Sequence, residues 1–252
     1  MSGTIASTTP MTSEQTLEGH GGAVSRRGLL LGVGGISAAL ALGVGSQTAA
    51  VAAPPKLRKG DRGAAVTELQ NRLNAAKYWC GSADGAFGPT TQQAVYALQK
   101  AAGLGKDGVV GPKTYDALSR KVLPKAQITS GTAFEIDLDK QLLLCIADGK
   151  IAYVLNTSTG SGERYYSGGR WKRATTPKGD FRIYRNHSKG WLNGSLGRMY
   201  RPSFWDRGWA IHGSTSIPPY PASHGCARIS TAASDMLWKR NWFIIDRRVL
   251  VR

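Results

Sequence analysis

Cysteine, histidine and acidic residues are all scarce in this 252-residue chain. It has three cysteines, four histidines, and 16 aspartates and glutamates against 33 lysines and arginines. Three cysteines are too few for a disulfide scaffold and lack the spacing of a zinc site. So few histidines, with no acidic cluster, argue against a metal centre, and no cofactor is expected. Apolar residues make up 41% of the chain, enough for an ordinary core but not for a multi-span membrane protein. The 32 glycines show no G-X-Y period, so a collagen-like fibre is excluded and loop-rich or β-rich structure is favoured. Seven Trp, nine Tyr and five Phe argue against disorder throughout.

The first 53 residues read as an address and are set aside from the fold. Arg26 and Arg27 precede an uncharged run, Gly28 to Ala53, that ends in the small-x-small signal Ala50-Val51-Ala52. Ser25-Arg26-Arg27-Gly28-Leu29-Leu30 resembles a twin-arginine export signal. Cleavage there and retention as a membrane anchor are both open, since about 20 apolar residues span a bilayer. Either outcome places the remainder in the cell envelope, outside the cytoplasm. Residues 1–52 carry two bases and two acids, so the exported part keeps the whole +17. Such a charge favours polyanions, with anionic wall polymers the natural candidates. No nucleic-acid-binding motif is present, and no nucleic acid or protein partner is expected.

Residues 56–121 contain a repeat at a 23-residue offset. Asp84 to Ala94 and Asp107 to Ala117 both read D-G-x-apolar-G-P-x-T-x-x-A. Asp-Gly makes a tight turn, and Gly-Pro ends one element and opens a helix. Val66, Leu69, Leu73 and Ala76, then Ala94, Val95, Leu98 and Ala101, have helical spacing, and a third helix is expected from Pro112 to about Arg120. With Leu57-Arg58-Lys59-Gly60-Asp61-Arg62-Gly63, this segment resembles the three-helix peptidoglycan-binding module of bacterial wall enzymes. That resemblance implies wall targeting. Residues 122–130 read as a linker.

Residues 131–252 read as mostly β. Phe134, Ile136 and Leu138 alternate with Glu135, Asp137 and Asp139; Leu142, Leu144 and Ile146, then Ile151, Tyr153 and Leu155, continue with period two around the Asp148-Gly149 turn. Further strands are expected at Phe181 to Arg185, at Trp209 to Ile211, and at Arg247 to Arg252, with one helix from Ala232 to Arg240. The whole is therefore an α+β multidomain chain: a small helical module, then a mostly-β domain built as an open sheet or sandwich.

The chemistry gathers in Ser223-His224-Gly225-Cys226, with His212 fourteen residues before the cysteine. A nucleophilic cysteine needs a base or cation nearby and free backbone N–H groups for an oxyanion. His212 would project from a strand end, and the proline-rich loop Pro218, Pro219, Pro221 would return Cys226 to it. Ile211-His212-Gly213, that loop, and Ser223-His224-Gly225-Cys226-Ala227-Arg228 resemble the L,D-transpeptidase catalytic domain family. Leu155 to Gly160 and Thr176 to Phe181 support the likeness.

The resemblance implies Cys226 as nucleophile, His212 as general acid and base, Gly213 as the carbonyl that orients His212, and the Gly225 and Cys226 N–H groups as oxyanion donors. Ser223 and His224 would shape the loop. Arg228 stands where many members have asparagine and could hold a substrate carboxylate; Tyr200 is set beside it as substrate-binding. The implied substrate is a peptidoglycan tetrapeptide stem, joined to another stem by a 3→3 cross-link. L,D-carboxypeptidase action and noncatalytic wall binding are the alternatives. The cluster Trp191, Tyr200, Phe204, Trp205, Trp209 reads equally as lid or core, and the basic run Arg164 to Arg173, with Tyr165, Tyr166 and Trp171, as a solvated loop or a face for anionic wall polymer. Cys80 and Cys145 could pair or remain two buried thiols.

Overall fold

A computed structural model describes residues 54–252; the leader read at residues 1–53 lies outside them. No helix among the described residues is long and apolar enough to cross a membrane. The described residues, 54–252, form one compact unit.

The helical module contains α1 (Ala64–Ala75), α2 (Pro89–Ala101) and α3 (Pro112–Ser119). Proline opens α2 and α3, where its missing N–H costs nothing. Each D-G turn is tied down by a buried glutamine from the preceding helix. Gln70 Nε2 donates to Asp84 Oδ1 (2.8 Å), the Ala86 carbonyl (3.1 Å) and Thr91 Oγ1 (3.0 Å), while its Oε1 accepts from Gly85 N (2.9 Å). In the second repeat Gln99 Nε2 reaches Asp107 Oδ1 (2.7 Å), the Val109 carbonyl (3.0 Å) and Thr114 Oγ1 (3.5 Å), and its Oε1 accepts from Gly108 N (3.0 Å). The aspartate and threonine of the repeat are therefore polar partners of a core amide as well as turn and helix residues.

The β domain follows with β1 (Ala133–Asp137), β2 (Leu142–Ala147), β3 (Lys150–Asn156), β4 (Arg164–Ser167), β5 (Arg170–Arg173), β6 (Gly179–Arg182), β7 (Arg185–Asn186), β8 (Trp191–Gly194), β9 (Gly197–Asp206), β10 (Trp209–Ser214), β11 (Ala227–Ser230), α4 (Thr231–Lys239) and β12 (Arg248–Val251). One sheet runs β3-β2-β1-β12-β6; a second runs β11-β10-β9-β7, with β8 on β9; β4 and β5 form a separate hairpin. β1 pairs with β12 and β10 with β11 in parallel. Phe134, Leu143, Cys145 and Val249 from the first sheet meet Trp205, Ile211, Ala227 and Ile229 from the second, with Leu237 of α4 in the same core. Ser230 caps α4, its Oγ accepting from Ala233 N at 3.1 Å.

Four expectations need correction. β2 does not have a wet face: Leu142, Leu144 and Ile146 pack into the helical module's core, while Leu143 and Cys145 face the β core. Its sequence, Leu-Leu-Leu-Cys-Ile-Ala, is apolar on both faces because both are covered. Glu135 and Asp137 are likewise buried, held by Arg252 at 2.6 and 2.8 Å. The strand expected over Phe181 to Arg185 breaks after Arg182, so that β6 joins one sheet and β7 the other. The basic run Arg164 to Arg173 is the β4–β5 hairpin.

Cys80 and Cys145 are free, buried thiols in separate cores. Segment 122–130 is fastened down as well: Glu135 Oε2 accepts from Gln127 N (2.8 Å) and Ile128 N (3.1 Å). Between module and β domain, the buried Lys100 Nζ donates to the carbonyls of Gln141 (2.8 Å) and Thr157 (3.0 Å), and Asn156 Nδ2 donates to Gln93 Oε1 (2.6 Å).

Candidate active site

His212 sits within β10, in register with Arg228 of β11, rather than at a strand end. Cys226 lies one residue before β11, so the parallel pairing of the two strands brings the histidine and cysteine to one place. Both line a cleft of about 840 Å³, together with Ser223, His224 and Arg228.

The imidazole is buried, and its Nδ1 lies 2.9 Å from the Gly213 carbonyl. A carbonyl only accepts, so Nδ1 carries the proton and Nε2 presents a lone pair. Burial pushes the His212 pKa down to about 4, with the Arg228 charge adding to the effect. The Cys226 thiol is pushed up by burial, against the Ala210 backbone and Arg228, which pull it down. Both shifts favour the uncharged forms, a thiol and an imidazole base. The thiol keeps a window of accessible surface, and its Sγ lies 3.6 Å from the Gly208 carbonyl.

The loop before Cys226 is tightly constrained. Ser223 Oγ donates to the Cys226 carbonyl (2.7 Å) and accepts from Gly225 N (2.9 Å). Thr176 Oγ1 donates to the Gly225 carbonyl (2.6 Å) and accepts from Gly160 N (2.9 Å). Gly225 has φ of +136°, and a methyl placed there would stand 2.3 Å from Trp209 Nε1 and 2.6 Å from the Thr175 carbonyl. Only glycine fits both the backbone and the space.

Residues 131–247 match the family model of the L,D-transpeptidase catalytic domain, and residues 62–118 that of a peptidoglycan binding domain. The crystal structure of the L,D-transpeptidase (residues 123–326) from Xylanimonas cellulosilytica DSM 15894 is 48% identical with a TM-score of 0.76, covering 79% of this chain and 98% of that one. The chain belongs to the L,D-transpeptidase family. It is also similar, over 65 residues, to a probable N-acetylmuramoyl-L-alanine amidase of Bacillus licheniformis (48% identical, 25% of this chain, 18% of that protein) and to an uncharacterised protein of Kitasatospora aureofaciens (45% identical, 25% of this chain, 55% of that protein). The matched stretch thus spans less than a fifth of the amidase.

Within this member of the L,D-transpeptidase family, the residues singled out in the sequence fall into three groups. Cys226, His212, Ser223, His224 and Arg228 share the cleft. Gly213 and Gly225 stand behind them as backbone supports. The Gly225 N–H is occupied by Ser223 Oγ, so of the two oxyanion donors expected, only the Cys226 N–H is not taken up within the loop.

Tyr200 is the third case. Its side chain packs on Gly213, where an added methyl would stand 2.8 Å from Cδ1, and its hydroxyl donates to Asp235 Oδ1 at 3.0 Å. It does not line the cleft, because the hydroxyl is drawn toward α4 by Asp235, which Arg201 also holds at 2.6 Å.

Three contributors support the loop in ways the sequence does not show. Thr176 fixes the Gly225 carbonyl; its Thr-Pro-Lys-Gly context was visible but not its target. Trp209 donates from Nε1 to the Thr175 carbonyl at 3.1 Å and walls in Gly225. Tyr165 of β4 meets the exposed His224 ring edge-on, with centroids 4.7 Å apart. The lid-or-core aromatics divide: Phe204 and Trp205 are buried, while Trp191 lies on the β8–β9 hairpin, its ring 5.1 Å from that of Tyr200. Leu192 to Met199 of that hairpin line the cleft.

Proposed function

We propose that this protein is a cysteine L,D-transpeptidase that joins peptidoglycan stems by 3→3 cross-links in the cell wall. The observation that carries the reading is the cleft shared by Cys226 and a His212 whose Nδ1 is pinned to the Gly213 carbonyl. His212 Nε2 takes the thiol proton as Sγ attacks the carbonyl of the stem's third residue. The Cys226 N–H meets the developing oxyanion. The same proton passes to the leaving amine of the terminal D-alanine, and a thioester remains. His212 then takes a proton from the side-chain amine of a second stem as it attacks the thioester, and returns it to the thiolate. Arg228 faces the substrate as a cation able to pair with a carboxylate bidentately. His224 and Ser223 set the loop.

Residues 56–121 serve as the wall-binding module, 122–130 as a docked connection and 131–252 as the catalytic domain. The leader would deliver the chain outside the cytoplasm, where its +17 charge favours contact with anionic wall polymers.

The test is mass spectrometry of products from the full chain and disaccharide tetrapeptide, beside Cys226→Ala. Cross-linked dimers lacking one D-alanine, absent with the variant, are expected. Tripeptide alone would make the enzyme a carboxypeptidase; unchanged substrate would leave a noncatalytic wall-binding protein.

A further inference from the structure

The cleft around Cys226 is lined by six cations, Arg170, Lys172, Arg185, Arg198, Arg207 and Arg228, and by no aspartate or glutamate. They come from β5, β7, β9, the turn after β9 and β11, so the charge belongs to the assembled cleft and not to one basic run. Among the described residues only Arg207 has a carboxylate within 4.0 Å, that of Asp206 at 3.9 Å. The other five have no intramolecular counter-ion there. Elsewhere the protein does pair its arginines closely: Arg248 with Asp180 at 2.7 Å and Arg252 with Glu135 at 2.6 Å.

Three of the cleft arginines have their guanidinium carbon over an aromatic ring. Arg185 lies 4.0 Å from the Phe204 ring centroid, Arg198 4.9 Å from Trp191 and Arg207 5.7 Å from Trp209. A guanidinium held over a ring by cation–π attraction spends no N–H group on that contact, and its N–H groups are what grip a carboxylate. The aromatic rings thus hold the three cations at the cleft before any ligand arrives.

We propose that the cleft selects donor stems bearing several free carboxylates over the same stems with those carboxylates converted to carboxamides. This deepens the transpeptidase reading and rests on it for the identity of the ligand. A carboxamide keeps the shape of a carboxylate but loses its charge and offers an N–H₂ that faces donors with a donor. With cations spread over five stretches of chain, recognition is distributed along the stem and does not depend on its terminal carboxylate alone.

The test measures binding and turnover separately. Binding of disaccharide tetrapeptide, in carboxylate and carboxamide forms, is measured by calorimetry on the full-length Cys226→Ala protein. The expected result is at least tenfold tighter binding of the carboxylate form. That gap should shrink severalfold between 50 and 500 mM NaCl. Arg170→Gln and Lys172→Gln should each reduce it about two- to fivefold, as for exposed charge pairs. Equal binding of both forms, a gap indifferent to salt, or displacement of the stem by poly(glycerol phosphate) at lower phosphate than stem concentration would each overturn the proposal. Turnover by the wild-type chain is scored independently. Cross-linking of both stems at equal efficiency would refute selectivity and leave the transpeptidase intact. Selective binding without any turnover would remove the transpeptidase reading and leave the carboxylate cleft standing.

Discussion

Gln70 and Gln99 in the helical module and His212 and Cys226 in the β domain are all drawn away from bulk water, but their polar atoms are treated differently. Each glutamine spends both its amide hydrogens and its carbonyl on fixed partners, and the two sites repeat one another almost bond for bond. His212 spends one nitrogen on Gly213 and keeps the other. Satisfied amides make a module that holds one shape. His212 keeps an unused lone pair in the cleft it shares with Cys226, whose thiol is held protonated by burial, which is the arrangement the proposed function calls for.

The sharpest way to break that comparison is to ask whether Cys226 rests as a thiol. Alkylation by iodoacetamide should accelerate about tenfold per pH unit from pH 6 to 8, following the thiolate fraction of a group whose pKa lies above its ordinary value. A rate already flat from pH 5 upward would mean a thiolate–imidazolium pair. Next in size is Gly225→Ala. The new methyl would meet Trp209 and Thr175 at a backbone angle that disfavours any side chain, so a loss of about 2–4 kcal/mol in denaturant unfolding is expected, together with misplacement of Cys226.

Gln70→Leu and Gln99→Leu should each cost about 2–3 kcal/mol, since each strands a turn N–H and an aspartate contact. Similar losses from both would support equivalence of the repeats; a loss from one alone would break it. The smallest change per measured step concerns Lys100. Burial, aided by Lys106, pushes its pKa down to about 7, and its only hydrogen-bond acceptors among the described residues are two carbonyls. The unfolded chain then holds a proton that the folded chain has released, so stability rises with pH between about 7 and 10. The slope should be at most about 1.4 kcal/mol per pH unit. Lys100→Met should remove that slope in urea titrations at pH 7, 8 and 9; an unchanged slope would discount Lys100.

How much of this was legible followed from the range of the interactions. The three helices were readable because Gly-Pro and apolar spacing act within a few residues. His212 and Cys226 stood out because their flanking glycines and the proline loop are contiguous. Glu135 looked solvent-facing because its partner, Arg252, lies 117 residues away. Gln70 and Gln99 fall outside the repeats they anchor, so the repeat pattern did not reveal them. Tyr200 was read with its aromatic neighbours, and only the fold shows its hydroxyl committed to Asp235. β2 was read with period two although its residues are apolar throughout, a pattern that already marks a strand covered on both faces.

That doubly covered strand also fixes the helical module against the β domain. A wall-binding domain on a flexible tether lets its partner sweep a radius that grows with the square root of linker length. Here Leu142, Leu144 and Ile146 belong to the module's core as much as to the sheet, and Lys100 and Gln93 are bonded across the seam. The two parts work as a ruler and not as a leash. On the proposed function, a module seated on one wall strand fixes the distance and direction from that strand to the Cys226 thiol, and the spacing of neighbouring strands then determines which of them the thiol reaches.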